Sequence, residues 1–334
     1  LSINLKHPIM TIQEIFDLAI KMGRKADPRP EEEINKQLIN IKKNFDHLSS
    51  REKDFYPKEK LTNPYPDSLI HWGDRNKEVK KILVTIDATE GKLLVGRESG
   101  VDLIISHHPT AKSLTLLPEA MKLQLYVYAK YGIPINIIEG MLKQRIAEVK
   151  RSIHPINHYL AVDTAKILGM NLMNIHTPTD NLVYDFVQNI IDTKKPEFLS
   201  EVLKLLFEIP EYQEAARRGS PPHISAGNPK NHCGKVVALE FTGGTDGAKK
   251  IYPHLASAGI GTIVSMHQLE DYRKEAEKSY INVIIASHIA SDSLGMNLFI
   301  DELEKKGIEI LPAGGFIRVS RINDKKGKII NPIE

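Results

Sequence analysis

The stretch KILVTIDATEGKLLVGRESGVDLIISHHP, residues 81–109, decides the fold. Ile82 to Ile86 and Leu103 to Ile105 are short runs rich in β-branched residues, and Lys92 to Glu98 between them has helical character. Strand, helix and strand in so short a span predict an α/β fold, a sheet layered with helices. The stretch closes on Ser106-His107-His108-Pro109, so two imidazoles stand directly after a strand, where Pro109 stops the chain from continuing as a helix.

The second half of the chain follows the same plan. Val236 to Phe241, Thr262 to Ser265 and Val283 to Ala286 read as strands, with helices around residues 246–257, 269–279 and 289–306. The strand that runs into Asp87 and Gly91 parallels the one that runs into Asp246 and Gly247. Each continues through a helix and a glycine (Gly100, Gly259) to an apolar strand ending in Ser106-His107-His108 or Ser265-Met266-His267. A third strand ends on Ser287-His288. Chance similarity between short units is the competing explanation of this quasi-repeat, but the placement of the histidines stands without it. Open α/β sheets hold ligands beyond the carboxyl ends of their strands, so histidines delivered there converge on a cleft.

Upstream, residues 10–22 show apolar spacing of three and four, with Thr11 and Glu14 placed as a capping box. Residues 23–60 are dense in both charges and read as an exposed amphipathic helix or oligomer arm, and Pro57, Pro64 and Pro66 mark a connector. Leu172 to Ile175 reads as a strand, and residues 181–207 as mostly helical. Pro221, Pro222, Pro229, Gly219 and Gly227 make residues 210–234 a long loop or lobe boundary. The expected organisation is an N-terminal helical extension and connector (1–75), a first α/β lobe (76–209), the boundary (210–234) and a second α/β lobe (235–334).

Composition narrows the function classes. With 334 residues, 41% hydrophobic and 26% charged, the chain is not disordered in the main. Forty-five Lys and Arg against 42 Asp and Glu leave +3, which points neither to a polyanion-binding protein nor to an acidic one, so a nucleic-acid partner is not indicated. A single cysteine, Cys233, excludes an intrachain disulfide and a cysteine-rich zinc module, and suits a reducing compartment. No apolar run approaches the roughly 20 residues of a membrane span, so a soluble, cytoplasmic protein is expected.

The chemistry-bearing residues cluster at strand ends. His107 and His108 can address two ions or two sites, with surface-loop histidines as the plain alternative. His288 and Asp292, four apart, share one face of a helix, although an early helical Asp also serves the dipole. Asp180 in His176-Thr-Pro-Thr-Asp180 is a ligand or the N-cap of the next helix, and His176 is equally open. Together these strand ends offer two oxygen and at least three nitrogen donors, a set suited to Zn, Fe or Mn rather than Ca. Asp87 and Glu90 are either partners that orient an imidazole or turn and capping residues. His267 stands at a sheet edge like His107. His154, His158, His223, His232 and His254 read as structural or exposed. Gly243-Gly244-Thr245 is a backbone anion site or a plain turn.

The run from Val84 to Thr89, a helix, and Val101 to Pro109 resembles the signature of the NIF-three family, the GTP cyclohydrolase I type 2 homologues. His176-Thr-Pro-Thr-Asp180 is similar to that family's His-Thr-Asn-Leu-Asp element, and Ser287 to Asp292 to its His-x-x-x-Glu element. The similarity covers roughly residues 70 to 320. It implies two similar α/β lobes with a metal site in the cleft between them, a ring-like homohexamer, and two divalent ions (Zn, Fe or Mn) per subunit. Carried over position by position, the ligands are His107, His108, Asp180, His288 and Asp292, the last able to bridge. Asp292 is one methylene shorter than the family's Glu, which bears on bridging and metal choice, and Pro178-Thr179 replaces Asn-Leu. The N-terminal extension is longer than the resemblance leads one to expect.

The implied activity is that of a dinuclear metal-dependent hydrolase acting on a small molecule, such as a purine nucleotide like GTP. No P-loop is visible, so GTP rests on the resemblance. The alternative is a non-catalytic metal-binding regulator or scaffold that forms a homo-oligomeric ring.

Overall fold

The computed structural model describes residues 10–324 and 327–330. The two main sheets comprise β1 (Leu69–Trp72), β2 (Lys81–Thr85), β3 (Leu103–Ser106), β4 (Leu172–Asn174), β5 (His223–Ala226), β6 (Lys235–Ala238), β7 (Ile260–Ser265), β8 (Asn282–Ile285) and β9 (Glu309–Pro312). The first has the order β9-β2-β3-β4-β1 and the second β5-β8-β7-β6. Both are parallel except at one edge, where β1 runs antiparallel to β4 and β5 antiparallel to β8. Residues 103–106 and 172–174 are buried throughout, which is why they read as unbroken apolar runs rather than alternating ones. Parallel pairing of Thr85 with Ser106 and of Ser106 with Asn174 aligns three strand ends, so the residues just beyond them share one edge of the sheet.

Two long helices, Thr177–Lys194 and His288–Glu304, pack against each other and link the sheets. Val183, Val187, Ala290 and Leu294 join a core with Val236, Ala238, Val264 and Ile284 of the second sheet. Met296, Phe299, Ile300 and Leu303 of the same His288 helix enter the core of the first sheet, beside Val84, Ile105 and Met173. Serving two cores, this helix is buried on both faces and holds Asp292, Asn297 and Asp301 as well as its apolar residues away from solvent.

The N-terminal helix, Ile12–Lys25, starts on the expected Thr11/Glu14 capping box and buries Ile12, Ile15, Phe16 and Ala19 against the first sheet. The charged region that follows forms two helices, Glu31–Asp46 and Ser50–Phe55. The first of these buries only Ile34, and the second has its own Ser49/Glu52 box.

Two expectations need correction. Residues 210–234 are not a long loop, because they contain the helix Pro210–Arg217 and the strand β5. Pro210 occupies the first helical turn, where a missing N–H costs nothing, and Pro221 and Pro222 precede an edge strand. The second lobe also does not keep residues 309–312 to itself. β9 pairs with β2 and completes the first sheet. Among the described residues no helix is long and apolar enough to cross a membrane.

Candidate metal centre

The ends of β3 and β4 bring the first donors together. The backbone N–H of His107 donates to the Thr85 and Ile86 carbonyls, which fixes the turn out of β3. Nδ1 of His107 lies 3.2 Å from the Ile175 carbonyl oxygen and 3.1 Å from Thr179 Oγ1. With that nitrogen engaged, Nε2 points inward, buried and without a hydrogen-bond partner. It stands 3.4 Å from Asp180 Oδ1 and 3.4 Å from Asp292 Oδ1.

Asp180 sits in the first turn of the Thr177 helix and Asp292 near the start of the His288 helix. The N-cap reading of Asp180 is therefore replaced: His176 holds the cap position, and the Asp180 side chain is free for another role. The turn from β8 into the His288 helix passes through Ser287 at φ 84°, a conformation that is costly outside glycine and that sets the direction of His288.

All four carboxylate oxygens of Asp180 and Asp292 are buried without a hydrogen-bond donor. A buried carboxylate without hydrogen-bond donors costs several kcal/mol, and such a pair beside inward-facing imidazoles makes a candidate site for cations. The remaining histidines close around it. His108 donates from Nδ1 to Asp87 Oδ1 at 2.8 Å and places Nε2 3.3 Å from Asp292 Oδ2. Nε2 of His288 is 3.5 Å from the same oxygen. His176 pairs through Nδ1 with Asp67 Oδ2 at 2.8 Å, and its ring centroid lies 4.8 Å from that of His107. Carboxylates or carbonyls on one ring nitrogen, with the other directed inward, are how proteins orient metal-binding imidazoles.

Two groups have ligand atoms that all lie within 4.8 Å of one another: His107, His176 and Asp180, and His107, His108 and Asp292. Because they share His107, the two positions adjoin. His288 joins neither group but touches Asp292. A third group, Glu240, Asp246 and His267, lies at the second sheet.

The electrostatics show the strain of bringing these groups together. Burial pushes His107 down to about 4, against the opposing pull of Asp292. Burial, with the Asp292 charge adding to it, lifts Asp180 to about 8. Asp292 is held well below the usual carboxylate range, since His107 and His288 outweigh its burial. Desolvation pulls His108 down, but the Asp292 carboxylate 3.3 Å from Nε2 and the hydrogen bond to Asp87 outweigh it and lift this ring to about 10.

The structure brings together all five residues carried over from the resemblance, and adds His176. The signal for His176 was hard to read because its partner, Asp67, lies 109 residues upstream. Asp87 orients His108, while Thr89 rather than Glu90 caps the helix that follows. His267 corresponds to His108, not to His107, for it donates from Nδ1 to Asp246 Oδ1 at 2.7 Å. Gly243-Gly244-Thr245 is a turn whose carbonyls at Gly243 and Thr245 accept from Gln124 Nε2.

Known proteins bear on this geometry. The Duf34/NIF3 (NGG1p interacting factor 3) family profile matches residues 47–115, which include β2, β3 and both adjacent histidines. The GTP cyclohydrolase 1 type 2 homolog of Bacillus subtilis (strain 168) is 24% identical over 231 residues, 65% of this chain. The match spans 51% of that relative's length. The NIF3 superfamily protein from Sphaerobacter thermophilus superposes with a TM-score of 0.70 at 20% identity, covering 92% of this chain and 100% of that one. Reduced HcgD from Methanocaldococcus jannaschii gives 0.48 at 17% identity, over 73% and 87% of the two chains. The chain is thus similar to NIF3 proteins in its sequence around the two adjacent histidines, and shares the fold of a NIF3 superfamily structure.

Proposed function

We propose that the chain is a metal-dependent hydrolase whose centre takes two divalent ions among His107, His108, His176, Asp180, His288 and Asp292. One observation carries this reading. The buried carboxylates of Asp180 and Asp292, whose four oxygens have no hydrogen-bond donor, each place Oδ1 3.4 Å from the unpartnered Nε2 of His107. The mixture of imidazole and carboxylate suits Zn, Fe or Mn. When bound, a pair of such ions supplies Lewis-acid polarisation of a scissile bond and activation of water near neutral pH.

The chain's own residues do the rest. Asp87, Asp67 and Thr179 hold three imidazoles in fixed orientation. Asp292 turns Oδ1 to His107 and Oδ2 to His108 and His288, a placement suited to spanning two ions despite its short side chain. His107, Asp180 and Asp292 are buried, whereas the side chains of His108 and His288 are 26% and 40% exposed, so a ligand approaches from the side of these two.

A purine nucleotide such as GTP is the substrate suggested by the name of the Bacillus subtilis relative and by the sequence resemblance. A ring-like homohexamer and a cytoplasmic location are proposed from the sequence reading in the same way. The test is metal analysis of protein purified without chelators, followed by a hydrolase panel that includes GTP. Bound metal and a turnover that chelation abolishes and re-addition restores are expected. Protein without metal contradicts the centre, and metal without turnover of any substrate favours a regulator or scaffold.

A further inference from the structure

The two sheets end in the same hydrogen-bonded device. Asp87 lies 21 residues before His108 and accepts its Nδ1–H at 2.8 Å; Asp246 lies 21 residues before His267 and accepts at 2.7 Å. Ser106 Oγ donates to the His108 carbonyl at 3.3 Å, and Ser265 Oγ to the His267 carbonyl at 2.7 Å. The two rings are equally open to solvent, at 26% and 25%. They flank His288 with centroid distances of 5.5 Å and 5.0 Å. The Nε2 of His108 meets Asp292, while the Nε2 of His267 has no part in the centre described above.

A third cation among Glu240, Asp246 and His267 does not fit. Glu240 Oε1 accepts from the Gly247 N–H at 3.2 Å, and its Oε2 lies 3.4 Å from Ser265 Oγ. Asp246 is taken by His267 and faces the Arg145 guanidinium at 3.8 Å. None of these groups contributes a fully buried atom without a hydrogen-bond partner, unlike Asp180 and Asp292. Met266 also stands where the first sheet has the buried ligand His107. The second device keeps the oriented imidazole and lacks the ligand set around it.

We propose that the Asp246–His267 pair is an orienting arm of the site, which binds through Nε2 a phosphate-like oxyanion held at the metal centre. This rests on the metal reading above. Asp246 is the positioning residue, because locking Nδ1 fixes the ring and aims the other nitrogen. Near neutral pH phosphate carries both P–O⁻ and P–OH, so it pairs with Nε2 whether that atom accepts or donates.

The test uses the full chain loaded with Mn, with inorganic phosphate as the probe. Metal content is measured by elemental analysis and phosphate affinity by calorimetry in wild type, His267→Ala and Asp246→Asn. Both variants are expected to keep wild-type metal content, while His267→Ala weakens phosphate by about tenfold or more, the loss of one hydrogen bond to a charged group. Asp246→Asn weakens it less, since the ring remains but loses its lock. Equal phosphate affinity in wild type and His267→Ala, no phosphate binding by the loaded wild type, or metal loss in His267→Ala each overturns the proposal. Failure of the wild type to bind metal overturns the underlying centre instead.

Discussion

Gly295 packs against the Thr179 carbonyl so closely that a Cβ built on the glycine would overlap that oxygen. The contact joins the two helices that carry Asp180 and Asp292, so it sets the distance between the carboxylates. Gly295→Ala forces the helices apart and is expected to cost about 1–3 kcal/mol of stability, with weaker metal binding. Gly140→Ala, where the added methyl meets nothing within 4 Å, serves as the control. It should be neutral or stabilise by about 0.4–1 kcal/mol. Thermal unfolding with and without metal checks both.

Asp180→Asn separates stability from function. The carboxyl is 1% exposed and has no donor, so its removal relieves the metal-free protein of an uncompensated group. The metal-free variant should unfold at or above the wild-type midpoint, and the further rise that metal gives the wild type should be absent. A destabilised variant that still binds metal would refute this.

His71 predicts an acid-sensitive term away from the centre. Burial lowers this ring from 6.5 to about 4, against the raising effect of its hydrogen bond to Asn174. The folded state thus holds it neutral while the unfolded chain takes up the proton below 6.5. Its stabilising contribution is full above pH 6.5 and is lost as pH falls toward 4. The stability gap between wild type and His71→Gln should shrink by on the order of 1–3 kcal/mol from pH 7 to pH 4.5, as measured by urea unfolding.

Glu211 ties the Pro210 helix to the rest of the molecule. It is fully buried, accepts two bonds of 2.6 Å from Arg321, and takes a third from Asn297 of the His288 helix at 2.9 Å. Glu211→Ala leaves the Arg321 guanidinium without its partner and should cost about 3–5 kcal/mol. A loss under 1 kcal/mol in chemical denaturation would mean that this helix contributes little.

The strands that carry the histidines were legible because buried parallel strands leave dense β-branched runs, and because the residues after them are polar in an otherwise apolar neighbourhood. The loop reading of residues 210–234 fails because proline marks the start of a helix or an edge strand as readily as a loop. The return of β9 to the first sheet and the Asp67–His176 pair depend on contacts between distant segments, which no local pattern records. The Asp246–His267 pair was half visible. The quasi-repeat set His267 opposite His108 in the sequence, and the hydrogen bonds show that each ring is held by the acid 21 residues before it.

Anomalous scattering at the metal edge, from crystals of protein purified without chelators, tests the centre most directly. Two peaks are predicted, one beside His176 and Asp180 and one beside His108, Asp292 and His288, with Nε2 of His107 ligating one of the two. No peak beside Asp180 or Asp292, or metal bound only at Glu240, Asp246 and His267, would contradict the account.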